Sequence, residues 1–203
     1  MKKTLSPAAV LARLSELYPN AGCTLDWTTP LELLVATILS AQCTDKRVNI
    51  VTKKLFQKYH RAEDYIAVAQ TELEHDIHSC GTFRMKAKAI QETCRMLLRD
   101  FHGHVPRTMP EMIRLRGVGR KTASVVLSTA YGIQEGIAVD THVMRVSRRL
   151  GLTKAKTQAS IEKDLMKKFE RKDWAKISHL LIFHGRNACT ARMKCKGDCL
   201  NVV

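Results

Sequence analysis

The chain has 203 residues, with 34 Lys and Arg against 19 Asp and Glu and a formal charge of +15. That length buries one good core or two small ones, and a basic excess of this size points to a polyanionic partner, nucleic acid before others. A membrane helix is excluded: it takes about 20 apolar residues, and the run Leu33–Leu39 falls far short.

The N-terminus imitates a lipoprotein signal, with Lys2 and Lys3 ahead and Cys23 behind. A signal needs a continuous apolar stretch, which Arg13 and Glu16 interrupt, so those positions read as the polar face of a helix carrying Leu11, Leu14 and Leu17. The expectation is a cytoplasmic, nucleoid-associated protein with reduced thiols rather than a disulfide framework. Ser6-Pro7 and Thr29-Pro30 each set a capping side chain before a proline, so each opens a helix, the second running through Leu31, Leu34, Val35 and Ile38. Another starts at Asp45, and a longer one carries Ala87, Ile90, Cys94, Leu97 and Phe101 before a stop at Gly103. Further helices are expected over 121–131, 140–150, 158–169 and 174–184. Only Gly136–Val139 reads as extended, too short to build a sheet, so the fold class is all-α.

The chemistry concentrates at Leu115-Arg116-Gly117-Val118-Gly119-Arg120-Lys121-Thr122-Ala123, with a helix on either side. Two glycines around one residue allow a tight hairpin, and the following helix start directs its positive dipole end at the same place. Such a site grips phosphate without reading bases. No flanking strand is present, so this is not a dinucleotide or nucleotide loop. Lys121 falls in the first turn of the second helix, where the dipole and Arg120 disfavour another positive charge and favour a neutral, nucleophilic amine. Asp140 closes the extended segment and opens the next helix. An Asp there is most often an N-cap, a role compatible with catalysis.

Four motifs in order, Ser40-Ala41-Gln42-Cys43-Thr44-Asp45, Gly117 to Ala123, Ala138-Val139-Asp140-Thr141-His142 and His184-Gly185-Arg186, resemble the endonuclease III family of bifunctional DNA glycosylase and abasic-site lyases. The similarity runs from about Leu14 to Cys189 and implies a helix–hairpin–helix glycosylase fold of two helical lobes with a DNA groove between them. It implies a six-helix lobe at 24–133, its hairpin motif at about 109–131, and a second lobe from 1–23 and 134–203. By the same resemblance Lys121 is the nucleophile and Asp140 its acidic partner. Gln42 enters the space left by the flipped base, and Gly117, Val118, Gly119, Arg120, Thr122, His142, Thr82 and Arg84 contact DNA. The implied partner is double-stranded DNA with oxidised pyrimidines or abasic sites, and the implied state is a monomer. A non-catalytic or weakly active DNA-binding relative is the alternative, disfavoured because phosphate binding requires neither Lys121 nor Asp140.

The chain departs from the family pattern in three places. Arg116 stands where a proline precedes the first hairpin glycine, adding a cation near the expected phosphate. Thr82 replaces the large apolar wedge after Gly81, with Phe83 and Arg84 following. The family's C-x6-C-x2-C-x5-C run for a [4Fe–4S] cluster is reduced to Cys189, Cys195 and Cys199. A cubane takes four ligands, so the simplest reading of 189–199 is a remnant loop, still basic through Arg192, Lys194 and Lys196; assembly of a cluster stays open, and a zinc site completed by His184 is disfavoured because that residue belongs to the preceding helix. The lyase chemistry itself needs no cofactor. Cys23, Cys43, Cys80 and Cys94 read as ordinary buried thiols.

Overall fold

A computed structural model describes residues 5–192 and residue 200. Cys195 and Cys199, with Lys194 and Lys196, lie outside the described residues. In chain order the helices are α1 (Pro7–Leu17), α2 (Pro30–Leu39), α3 (Asp45–Lys58), α4 (Ala62–Ala67), α5 (Gln70–Ile77) and α6 (Phe83–Phe101). They continue as α7 (Met109–Met112), α8 (Arg120–Tyr131), α9 (Thr141–Arg149), α10 (Gln158–Met166) and α11 (Trp174–Asn187). No strand occurs among the described residues, and no helix is long and apolar enough to cross a membrane.

The chain divides into two compact units, Thr24–Glu135 and Met1–Cys23 with Gly136–Val203. In the continuous unit α2 is the central helix. Leu33 to Leu39 are all buried, and α3, α6 and α8 pack around them, as an element apolar on every side requires. Its start is over-determined: Thr29 Oγ1 accepts the Glu32 N–H at 3.2 Å and Glu32 Oε2 accepts the Thr29 N–H at 3.2 Å, a reciprocal capping box ahead of Pro30. The resemblance predicts six helices for this lobe; seven α-helices are present among the described residues. Val68 and Ala69 turn extended and separate α4 from α5, while the buried Gln91 amide donates to the carbonyls of Tyr65 (3.0 Å) and Val68 (2.9 Å) left open at the break.

In the discontinuous unit Val10 and Leu14 of α1 join Val143 and Val146 of α9, Ile161 and Leu165 of α10, and Ile177, Leu180 and Leu181 of α11 in one core. Each fully buried aliphatic side chain of this kind contributes roughly 1.5–3 kcal/mol. Ile137 and Val139 extend into the same core as unpaired chain rather than strand, which carries Asp140 to the start of α9.

Candidate active site

In the continuous unit the Gly-Val-Gly turn is fastened to α6. Thr93 Oγ1 donates to the Arg116 carbonyl at 2.8 Å, and the side chains of Leu115 and Val118 are buried. Gly117 has φ +74°, and a Cβ built on it would lie 3.1 Å from Ala89 Cβ. Both facts demand glycine, the first by conformation and the second by the close approach of α6. With Val118 turned inward, Gly117, Gly119, Arg120 and Lys121 are left exposed. Gly119 is the N-cap of α8 and supplies no side-chain acceptor, so the helix presents its first amides uncapped.

Lys121 stands exposed one residue into α8, with no hydrogen bond or ion pair to a described residue. Arg120 reaches sideways, Nη2 donating to the Glu135 carbonyl at 3.4 Å. Thr122 is half-buried behind them. Arg116, the departure from proline, is engaged: its Nε lies 3.3 Å from Glu92 Oε2 on α6. Its charge is therefore partly answered within the protein before any phosphate arrives.

Two loops of the same unit carry side chains in left-handed backbone. Gln42, between α2 and α3, has φ +54°, and Thr82, the N-cap of α6, has φ +39°. Both are exposed and neither side chain hydrogen-bonds a described residue. For a β-branched residue such as Thr that conformation is an outlier, costing on the order of 1–3 kcal/mol, and it persists only when surroundings over-determine it. Arg84 lies with its guanidinium carbon 4.8 Å from the Phe83 ring centre and its Nε 3.9 Å from Glu74 Oε2. Of the four thiols outside the tail, Cys80 and Cys94 are buried, whereas Cys23 and Cys43 are only half-buried because both sit in loops.

In the discontinuous unit Asp140 is the N-cap of α9. Its Oδ1 accepts the Val143 N–H at 2.8 Å, while Oδ2 makes no hydrogen bond to a described residue. One oxygen holds the helix and the other is available for chemistry. The approach to Asp140 is fixed by the buried Ser178 on α11, whose Oγ donates to the Ala138 carbonyl at 2.7 Å. His142 packs on α11 where Gly185 leaves room: a Cβ on Gly185 would fall 3.0 Å from both His142 Cβ and Nδ1. Arg145 ties this region together, its guanidinium donating to the carbonyls of Gly185 (2.8 Å) and Cys189 (3.1 Å) and to His142 Nδ1 (3.1 Å).

An open cleft of about 690 Å³ follows the outer face of α9, lined by Thr141, Met144, Arg145, Arg148, Arg149 and Lys154 with Thr153. No ion pair to a carboxylate engages those four cations among the described residues. Cys189, fully buried, accepts at Sγ from Arg149 Nη1 at 3.2 Å. His184, the alternative metal ligand, is buried in α11 with Nδ1 3.1 Å from the Tyr18 hydroxyl. No group of three His, Cys, Asp or Glu that could hold a metal gathers among the described residues. Cys195 and Cys199 lie outside them, and no chemical step is routed through a cluster.

Sequence reasoning missed Arg145, Ser178, Thr93 and Lys86. All four act on backbone carbonyls, and nothing in residue type or spacing announces a carbonyl partner on another helix.

The family model of the HhH-GPD superfamily base excision DNA repair proteins matches residues 35–171. The chain is 53% identical to the endonuclease III of Synechocystis sp. over 190 residues, covering 94% of this chain and 87% of that protein. Against the endonuclease III of Bacillus subtilis the identity is 50%, covering 93% and 86%. A solved non-covalent endonuclease III–DNA complex superposes with a TM-score of 0.88 at 48% identity, covering 93% of this chain and 90% of that one. A trapped covalent endonuclease III–DNA intermediate superposes with a TM-score of 0.88 at 47% identity, with the same coverage. The chain therefore belongs to the endonuclease III family of the HhH-GPD superfamily, and is a DNA glycosylase of base excision repair.

Proposed function

We propose that the protein excises oxidised pyrimidines from double-stranded DNA and then nicks the strand as an abasic-site lyase, acting as a monomer with Lys121 as nucleophile. The observation that carries this reading is the setting of Lys121: an exposed amine with no carboxylate partner, one residue into a helix whose uncapped amides and glycine turn suit a phosphate. A module that only gripped DNA would need the turn but not the amine.

The damaged nucleotide leaves the stack, at a cost of a few kcal/mol that is smallest for a poorly stacked lesion. Lys121 Nζ bonds to the sugar C1′ as the bond from C1′ to the base breaks, and the base departs with that electron pair and takes up a proton. Loss of the amine proton and opening of the sugar ring give a protonated Schiff base. The free oxygen of Asp140 balances the positive charge on the sugar and nitrogen and shuttles protons. Removal of a C2′ proton then expels the 3′ phosphate, leaving the strand cut 3′ to the lesion. Amine, carboxylate and substrate complete this sequence.

Gln42 and Thr82 are assigned to the space vacated by the base and to the opposite strand. Gly117, Val118, Gly119, Arg120, Thr122 and His142 hold the backbone, with Arg84 alongside. The basic cleft on α9 adds non-specific affinity of the salt-sensitive kind. Cys189, buried with its Sγ against Arg149, takes no part in the reaction.

Borohydride reduction of the reaction on a thymine-glycol or abasic duplex tests the reading. A covalent adduct that forms with the wild-type protein and is lost in Lys121→Ala supports it, with DNA binding by that variant kept within a few-fold. Firm DNA binding by the wild type with no adduct would sink it in favour of a binding module.

A further inference from the structure

Lys86 lies in α6 with 5% of its surface exposed, yet it makes no ion pair with a described carboxylate. Its Nζ donates to two carbonyls only, Leu39 at 2.8 Å and Cys80 at 2.5 Å. An ammonium taken out of water needs a strong reason to stay, since an aliphatic side chain of similar size would fill the space without the desolvation cost. Burial pushes its pKa down, while the Cys43 and Cys80 thiols beside it act in the opposite sense.

The identity of the two carbonyls supplies the reason. Leu39 is the last residue of α2, three before Gln42; Cys80 ends the 3₁₀ turn His78–Cys80, two before Thr82. Both following loops then enter left-handed backbone at residues that carry side chains, with Gln42 at φ +54° and Thr82 at φ +39°. Carbonyls at the end of a helix have no intrahelical partner and must be satisfied from elsewhere. A single ammonium that takes one from each loop couples the two, so neither can swing without releasing the same cation.

We propose that Lys86 is a positioning residue for strand opening: one buried ammonium clamps the bases of the Gln42 and Thr82 loops and holds both side chains outward for insertion into the duplex. The inference rests on the roles given to those two residues above. It goes further in naming what keeps an outward, strained arrangement in place before DNA arrives, and in assigning a group that never touches substrate. The cost of ordering two loops on binding is reduced when they are ordered beforehand.

The test compares abasic sites in duplex and in single-stranded DNA, by borohydride trapping under single-turnover conditions. A single strand has no opposite base to leave unstacked and no gap to fill, so it does not call on the two loops. Lys86→Met is expected to slow trapping on the duplex at least tenfold while changing it less than threefold on the single strand. In a Gln42→Ala background the same change is expected to cost less than threefold on the duplex, because the side chain it positions is gone. Equal losses on both DNAs, full additivity with Gln42→Ala, or no loss on the duplex would each overturn the proposal. If Lys86→Met lacks the wild-type helical circular dichroism, Lys86→Arg gives the same reading. Its bulkier head keeps the charge but displaces the two carbonyls, and a duplex-selective loss is again required. Absence of trapping by the wild type on either DNA would instead be a failure of the lyase reading.

Discussion

Arg145 Nη2 donates to Nδ1 of His142 at 3.1 Å across one turn of α9. A guanidinium offers no acceptor, so Nδ1 accepts and the ring proton of neutral His142 resides on Nε2. The histidine is thereby set as a donor, the form a phosphate oxygen takes. Arg145→Met removes that control and strips partners from the Gly185 and Cys189 carbonyls. A loss of roughly 1–3 kcal/mol in urea unfolding is expected, with weaker binding of abasic duplex by fluorescence anisotropy. His142→Phe should then add little to the binding defect in the Arg145→Met background; independent, additive effects would refute the coupling.

Two substitutions separate the observed capping role of Asp140 from the carboxylate role proposed for it. Asparagine caps a helix about as well as aspartate, so Asp140→Asn should stay within about 0.5 kcal/mol of wild type in stability. Asp140→Ala loses the Val143 N–H acceptor and should cost about 1 kcal/mol. Both remove the carboxylate, and single-turnover base excision should fall on the order of 100-fold or more in each. Activity that followed stability, high in Asn and low in Ala, would reduce Asp140 to a cap.

Gly117→Ala meets two obstacles together: φ of +74° and an Ala89 Cβ only 3.1 Å from the new methyl. The left-handed conformation costs roughly 1–2 kcal/mol, and the clash with α6 adds to it. Thermal unfolding should reveal the loss, with DNA affinity falling alongside because the hairpin must tilt away from α6. A variant of unchanged stability would mean that the turn is softer than the Thr93 hydrogen bond to Arg116 suggests.

Acid should weaken the protein in two stages. Burial holds His179 and His184 below the ordinary histidine range, with Arg186 adding repulsion at His179. Because their folded pKa values are depressed, the unfolded chain takes up these protons first as pH falls. Their contribution is complete above the unfolded value of about 6.5 and is lost as pH drops through the folded values. Asp64 is held down by hydrogen bonds from the Arg61 and His60 amides, so its contribution is present above about 3.9 and lost only below that. Urea midpoints measured from pH 8 to 3 should stay level above about 7, begin to fall below about 6.5, and fall again below about 4. His184→Asn should flatten the first stage; an undiminished fall in a variant lacking both histidines would discredit this assignment.

What sequence conveys here is set by how local each cause is. Ser6, Thr29 and Asp140 are identifiable as caps from residue type alone, and each accepts the expected amide because capping is settled within four residues. The ordered motifs single out Lys121 and Asp140 by resemblance alone. Left-handed Thr82 is not foreseeable, since local sterics disfavour it for a β-branched side chain. Lys86 and Gln91 interrupt the apolar stripe of α6 and, without the helices packed against them, read as solvent-facing. The same limit applies to Arg116. Its charge is plain from the sequence, but its pairing with Glu92 depends on the hairpin lying against α6.

The division of the chain has a consequence for its synthesis. Thr24–Glu135 is continuous and complete once its last helix emerges, whereas Val10 and Leu14 of α1 share a core with buried residues from Ile137 onward, many of them in α9, α10 and α11. At about 5–20 residues per second, ribosomal translation leaves α1 waiting on the order of ten seconds while the intervening segment is made. During that interval a short helix, too short to persist alone in water, carries an uncovered apolar stripe. The nascent chain is thus open to chaperone capture at α1 throughout that interval, and a ribosome stalled once Glu135 has cleared its exit tunnel would display a folded hairpin module beside an α1 still without its core.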